Sequence, residues 1–154
     1  MLIKGIVDED FVNYKKPSML LLMPHCNWKC GGHLCHNSPL ATAPEIEVDP
    51  DKMVERYINN PISEALVFSG LEPFMDLSDV KTMMRSFRKV SDNVIVIYTG
   101  YNKEEVAKQV EDLKNEFSNL IIKFGRYQPG QMSHIDPILG IALASDNQYA
   151  EKVS

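Results

Sequence analysis

Ser18-Met19-Leu20-Leu21-Leu22-Met23-Pro24-His25-Cys26-Asn27-Trp28-Lys29-Cys30-Gly31-Gly32-His33-Leu34-Cys35-His36-Asn37 joins an apolar run to a loop that holds every cysteine of the chain. An apolar run of this length reads as a strand covered on both faces, which is the habit of parallel sheets. The thiols follow at its C-terminal end, within ten residues that also hold the only tryptophan and His33, with His25 and His36 directly flanking them. Gly31-Gly32 lets the backbone turn sharply enough for three sulfurs to converge. Three thiolates on one loop can take a soft metal or an iron–sulfur cluster. A cube held by three cysteines leaves one iron without a protein thiolate, and that iron can bind a substrate. A zinc site would use the cysteines with His25, His33 or His36. Three buried free thiols are the bland alternative, and a disulfide is the weakest reading in a chain without a secretory signal.

The length, 154 residues, suits one domain with a full hydrophobic core, so residues 1–154 are expected to form a single unit. A net charge of −5 disfavours a nucleic-acid or anionic-membrane surface. No basic region followed by an apolar core opens the chain, and no apolar run approaches the roughly 20 residues of a membrane span. The expectation is a cytoplasmic protein with neither nucleic acid nor membrane as partner.

Outward from the cysteine loop, strand and helix alternate. Residues 1–17 hold a short apolar stretch and then Asp8-Glu9-Asp10. After the loop, Asp49-Pro50 starts a helix, with an Asp cap and proline in the first turn. Met53, Val54, Tyr57 and Ile58 form its apolar face, and Asn59-Asn60-Pro61 ends it. Ala65 to Ser69 is a second buried strand. A helix over about Leu77 to Val90 turns Val80, Met83, Met84, Phe87 and Val90 inward, and its methionines read as core. Val94 to Tyr98 is a third strand. Asn102 and Glu105 have the spacing of a capping box for a helix whose inner face is Val106, Val110, Leu113 and Phe117. Leu120 to Phe124 is the fourth strand. Repeated strand–helix units with buried strands mean a parallel sheet with right-handed crossover helices. Each strand ends in an unusual loop: the cysteines, Gly70-Leu71-Glu72-Pro73, Thr99-Gly100-Tyr101 and Gly125-Arg126-Tyr127. In parallel α/β folds ligands bind at those strand ends, so the loops should share one rim. A full eight-unit barrel needs about 250 residues, whereas a partial barrel fits.

These motifs, in this order, resemble the radical S-adenosylmethionine (SAM) enzymes, and within them the activating enzymes of anaerobic (class III) ribonucleotide reductase. The likeness runs from Asp10-Phe11-Val12-Asn13 through Cys35-His36-Asn37, Ser69-Gly70-Leu71-Glu72-Pro73, Tyr98-Thr99-Gly100-Tyr101 and Gly125-Arg126-Tyr127 to Ser145-Asp146-Asn147-Gln148. The resemblance implies an α/β fold of the partial (incomplete) TIM-type barrel. It implies a [4Fe-4S] cluster on Cys26, Cys30 and Cys35, with SAM chelating the fourth iron through its amino and carboxylate groups. It places Leu34, Cys35 and His36 along the cofactor and Gly70, Leu71 and Glu72 at its methionine amino group. The implied reaction makes a 5′-deoxyadenosyl radical that takes a hydrogen from a glycine of the large reductase subunit. A low-potential electron donor such as a flavodoxin would be the other partner. Two departures stand out. The second cysteine gap is four residues, where the family pattern has two, which leaves His33 as the alternative to Cys35. Leu71 occupies the second position of the family's glycine pair. Arg126 reads equally as a contact to the SAM carboxylate or the partner and as a surface salt bridge. His25, His36 and His134 read as loop or surface histidines.

Overall fold

Proline and an aspartate cap do start the first helix: the computed structural model, which describes residues 1–26 and 38–154, has Asp49 accepting from the Asp51 N–H with Pro50 in the first turn. The strands are β1 (Leu2–Ile3), β2 (Gly5–Asp10), β3 (Ser18–Met23), β4 (Ile46–Glu47), β5 (Ala65–Gly70), β6 (Val94–Tyr98), β7 (Leu120–Phe124), β8 (His134–Asp136), β9 (Ile141–Leu143) and β10 (Tyr149–Lys152). The helices are α1 (Pro50–Ile58), α2 (Leu77–Arg88) and α3 (Ala107–Glu116), and 3-10 turns occupy Ser38–Thr42, Pro73–Asp76 and Lys103–Val106.

Among the described residues, six strands make the main sheet, in the order β10-β7-β6-β5-β3-β2. Its four central strands are the four expected from sequence, and all are parallel neighbours. Both edges are antiparallel: β2 pairs with β3, and β10 returns beside β7. Those edge strands are half-exposed and carry charges (Asp8, Glu9, Glu151, Lys152), so the apolar signal that marks the centre is missing from them.

Side-chain alternation divides the core into two layers. Leu21, Phe68, Ile97 and Ile122 face α1, α2 and α3, where they meet Val54, Tyr57, Met83, Phe87 and Leu113. Leu20, Val67, Val96 and Ile121 face the other way, onto Tyr14, Leu139 and Leu143. All three helices therefore sit on one face, while the segment before β3 and the β8–β9 hairpin cover the other. The methionines of α2 are core as expected: Met83 and Met84 are fully buried beside Phe87. Burial of such a side chain stabilises the fold by about 1.5–3 kcal/mol. Two expected inward residues are not inward. Ile58 and Val90 are 50% and 55% exposed, because α1 and α2 end at or just before them and the chain turns away. The capping contact at Asn102 is present, with Glu105 accepting the Asn102 N–H at 3.0 Å. No helix among the described residues is long and apolar enough to cross a membrane.

Candidate functional site

Because β3, β5, β6 and β7 run parallel, their C-terminal ends lie on one rim, where Cys26 after β3 meets the loops that leave β5, β6 and β7. They surround a cavity of about 400 Å³ whose wall includes Cys26, Gly70, Glu72, Thr99, Lys123 and Arg126. Clefts of roughly 300–1,000 Å³ are the usual size of small-molecule sites.

Glu72 joins two of the loops. It is 4% exposed and ends the β5 loop, capping the 3-10 turn Pro73–Asp76. Its Oε1 accepts from the Phe74 N–H at 3.0 Å and the Thr99 hydroxyl at 2.8 Å, and Oε2 accepts from the Gly100 N–H at 2.8 Å. Burial pushes its carboxyl above the usual range, opposed by these three donors and by the Lys123 charge. A carboxylate oxygen offers two lone pairs, so Oε2 keeps acceptor capacity beyond Gly100.

Gly70 and Leu71 tie the same loop to the root of the cysteine loop. Gly70 has φ +90, and a Cβ there would lie 2.6 Å from the Met23 nitrogen and 2.9 Å from the Leu22 carbonyl carbon. Only glycine fits this conformation and approach. The Leu71 N–H donates to Met23 O at 3.2 Å and the Glu72 N–H to His25 O at 2.7 Å. The β3–β5 pairing thus continues past both strands to the residue before Cys26. Cys26 itself is half-buried on the cavity wall. His25 is surface-exposed, as expected, with Nδ1 2.8 Å from Asp76 Oδ1 and Nε2 3.6 Å from Glu45. Cys30, Leu34, Cys35 and His36 lie outside the described residues, as do Trp28 and His33.

Lys123 is the cavity residue that sequence reasoning missed. It is 6% exposed in the middle of β7, and its ammonium donates to Gly125 O at 2.8 Å. Burial pushes its pKa down to about 8, against the pull of Glu72. The signal was present: a lysine inside the otherwise apolar Leu120-Ile121-Ile122-Lys123-Phe124 has no bland role in a strand covered on both faces. Tyr98, beside it, donates its hydroxyl to Asn13 O at 2.6 Å, and burial raises its pKa.

Arg126 is engaged. It makes a bidentate pair with Glu105 at 2.8 and 3.0 Å and lies over the Tyr101 ring. The salt bridge is present, and the same side chain also lines the cavity. The Ser145-Asp146-Asn147-Gln148 turn packs beneath, with Asn147 donating to Arg126 O and Gln148 to Gly125 O. Its contacts shape the β7 loop. His134 is half-buried on β8, 3.8 Å from Asp146.

Comparison with known proteins agrees with the cysteine loop. Residues 17–138 match the family described as the 4Fe-4S single cluster domain. The chain belongs to that family. No curated protein and no solved structure matches it.

Proposed function

We propose that this protein is a radical SAM activating enzyme that installs a glycyl radical on an anaerobic ribonucleotide reductase. The observation that carries the reading is the convergence of Cys26 and the three loops that leave β5, β6 and β7 on one cavity in a 4Fe-4S family member. Three further points support it. The strands β3-β5-β6-β7 lie side by side in sequence order and the α-helices of the described residues cover one face of the sheet, an arrangement that suits a partial TIM-type barrel. The donor set of three thiols suits an iron–sulfur cluster. The cavity offers an acidic group, apolar walls at Leu20, Leu22 and Ile141, and a volume suited to a nucleoside-sized ligand.

Cys26, Cys30 and Cys35 are assigned as ligands of a [4Fe-4S] cluster, and SAM as the cavity's ligand. When bound, the pair supplies, on one-electron reduction by a donor such as a flavodoxin, a 5′-deoxyadenosyl radical able to take a hydrogen from a partner's glycine. The protein's share is orientation and exclusion of water. Glu72 Oε2 is the acceptor for the methionine amino group, held in place by its own three donors. Gly70 and Leu71 position the loop through their backbone, and Leu34, Cys35 and His36 are assigned to the cofactor's other side. The open rim is where the reductase glycine loop must reach.

The test is anaerobic. Reduced protein, SAM and the reductase should yield 5′-deoxyadenosine, methionine and a glycyl-type EPR doublet that is lost when the target glycine is replaced by alanine. SAM cleavage with no radical on the reductase would assign the chemistry to another substrate. Zinc in place of iron and sulfide would overturn the reading.

A further inference from the structure

Two opposite charges line the cavity without pairing with each other. The oxygens of Glu72 are held by the Phe74, Thr99 and Gly100 donors. The Lys123 ammonium donates to Gly125 O at 2.8 Å and, among the described residues, makes no hydrogen bond or salt bridge to Glu72. Each group nevertheless acts on the other's titration, so both belong to one small volume. Lys123 shares the sheet face of Ile121, and its partner across the ladder is Tyr98, whose ring centre lies 5.7 Å from the ammonium. The side chain is 6% exposed and on the cavity wall. An ammonium carries three N–H donors, so one bond to a carbonyl leaves two of them without a protein acceptor. The other basic side chain on this wall, Arg126, is already neutralised by its bidentate pair with Glu105. A buried charge opposes folding unless it is compensated, and one neutral carbonyl compensates this one only in part.

We propose that Lys123 is the carboxylate-binding residue of this cavity, and that with Glu72 it selects a ligand ending in an α-amino-acid head. The inference rests on the SAM reading above, whose ligand has such a head. The ammonium of the head goes to Glu72 Oε2, which keeps acceptor capacity, and the carboxylate goes to the two remaining N–H groups of Lys123. Both contacts are charge-assisted, and burial makes them stronger than they would be in water. The apolar wall at Leu20, Leu22 and Ile141 adds selectivity. A ligand without the carboxylate leaves the Lys123 donors buried and unmet, and that is a larger penalty than the loss of an exposed contact. The cost to the empty protein also has a reason on this assignment: the charge opposes folding and is kept for binding.

Anaerobic calorimetry on the cluster-loaded protein should compare SAM with decarboxylated SAM, in wild type, Lys123→Met and Arg126→Met. Wild type should prefer SAM. In Lys123→Met that preference should shrink at least about tenfold, through weaker SAM binding while the decarboxylated compound binds no more weakly than before. Lys123→Met removes a buried charge, so its melting temperature at pH 7 should be no lower than that of wild type. A preference that is undiminished in Lys123→Met, or missing from a wild type that binds both compounds, would overturn the assignment. So would a markedly lower melting temperature of Lys123→Met, which would make the lysine a structural tie. Loss of the preference in Arg126→Met alone would give the carboxylate to Arg126 instead. A wild type that binds neither compound would overturn the SAM reading, and the assignment with it.

Discussion

Thr99 donates its hydroxyl to Glu72 Oε1 at 2.8 Å, so the loops leaving β5 and β6 share one buried carboxylate. Gly100, the next residue, donates to the other oxygen, and Thr99 Oγ1 in turn accepts the Tyr101 N–H at 3.0 Å. The acidic group of the cavity is therefore held from three directions before any ligand arrives. Preorganisation of this kind lets a site bind without first ordering itself.

Replacing Glu72 by alanine removes the acceptor for three donors, those of Phe74, Thr99 and Gly100. We expect a loss of about 2–4 kcal/mol of stability in urea unfolding. SAM affinity by calorimetry should fall at least about tenfold, the effect of one lost charge-assisted contact, while iron content is retained. Unchanged affinity would take this loop out of the proposed SAM site.

Gly70→Ala forces a Cβ onto the Leu22–Met23 backbone in a left-handed conformation. The expected destabilisation is about 3 kcal/mol. Gly100→Ala is the control, because its Cβ would meet only Arg126 Cγ at 3.4 Å and Glu72 Oε2 at 3.5 Å. That variant should stay within about 1 kcal/mol of wild type. Equal effects at the two glycines would refute the close-approach argument.

Lys123 gives a pH dependence of definite sign. Its folded pKa is about 8, below the ordinary lysine value of 10.5, so charging it opposes folding. Below pH 8 both states hold the proton and the full penalty is present. Between pH 8 and 10.5 the folded state releases its proton before the unfolded state does, so stability rises with pH. Lys123→Met should thus be more stable than wild type at pH 7, by about 1–3 kcal/mol, and the gap should narrow at pH 9.5. A gap independent of pH in parallel urea titrations would mean that the ammonium is not the destabilising group.

Each Cys→Ala variant at 26, 30 and 35 should lose most of the roughly four irons per chain held after anaerobic reconstitution. His33→Ala is the decisive partner measurement. Retention of iron in Cys35→Ala together with its loss in His33→Ala would move the third ligand to the histidine.

The four central strands and the three helices were legible in the residues because their burial is strong and periodic. Ser18 to Met23 and Ala65 to Ser69 are covered on both faces, and apolar runs of that length have few other uses. By composition the cysteine loop pointed to a soft metal or an iron–sulfur cluster, with zinc still open, and the parallel reading was enough to expect four loops on one rim. Tertiary structure decided the rest. The antiparallel edges β2 and β10 carry too much charge to be read locally, and they exist because β3 and β7 offer unpaired backbone to them. Ile58 and Val90 fit the helical periodicity of their helices, yet they lie where the chain leaves the core. Glu72 could be suspected from its motif, but not its three donors, two of which come from a loop 27 and 28 residues further along. The placement of Lys123 in the cavity likewise depends on segments distant in sequence. Periodicity reports which face of an element is buried; only the packed chain determines which atoms from other elements meet it there.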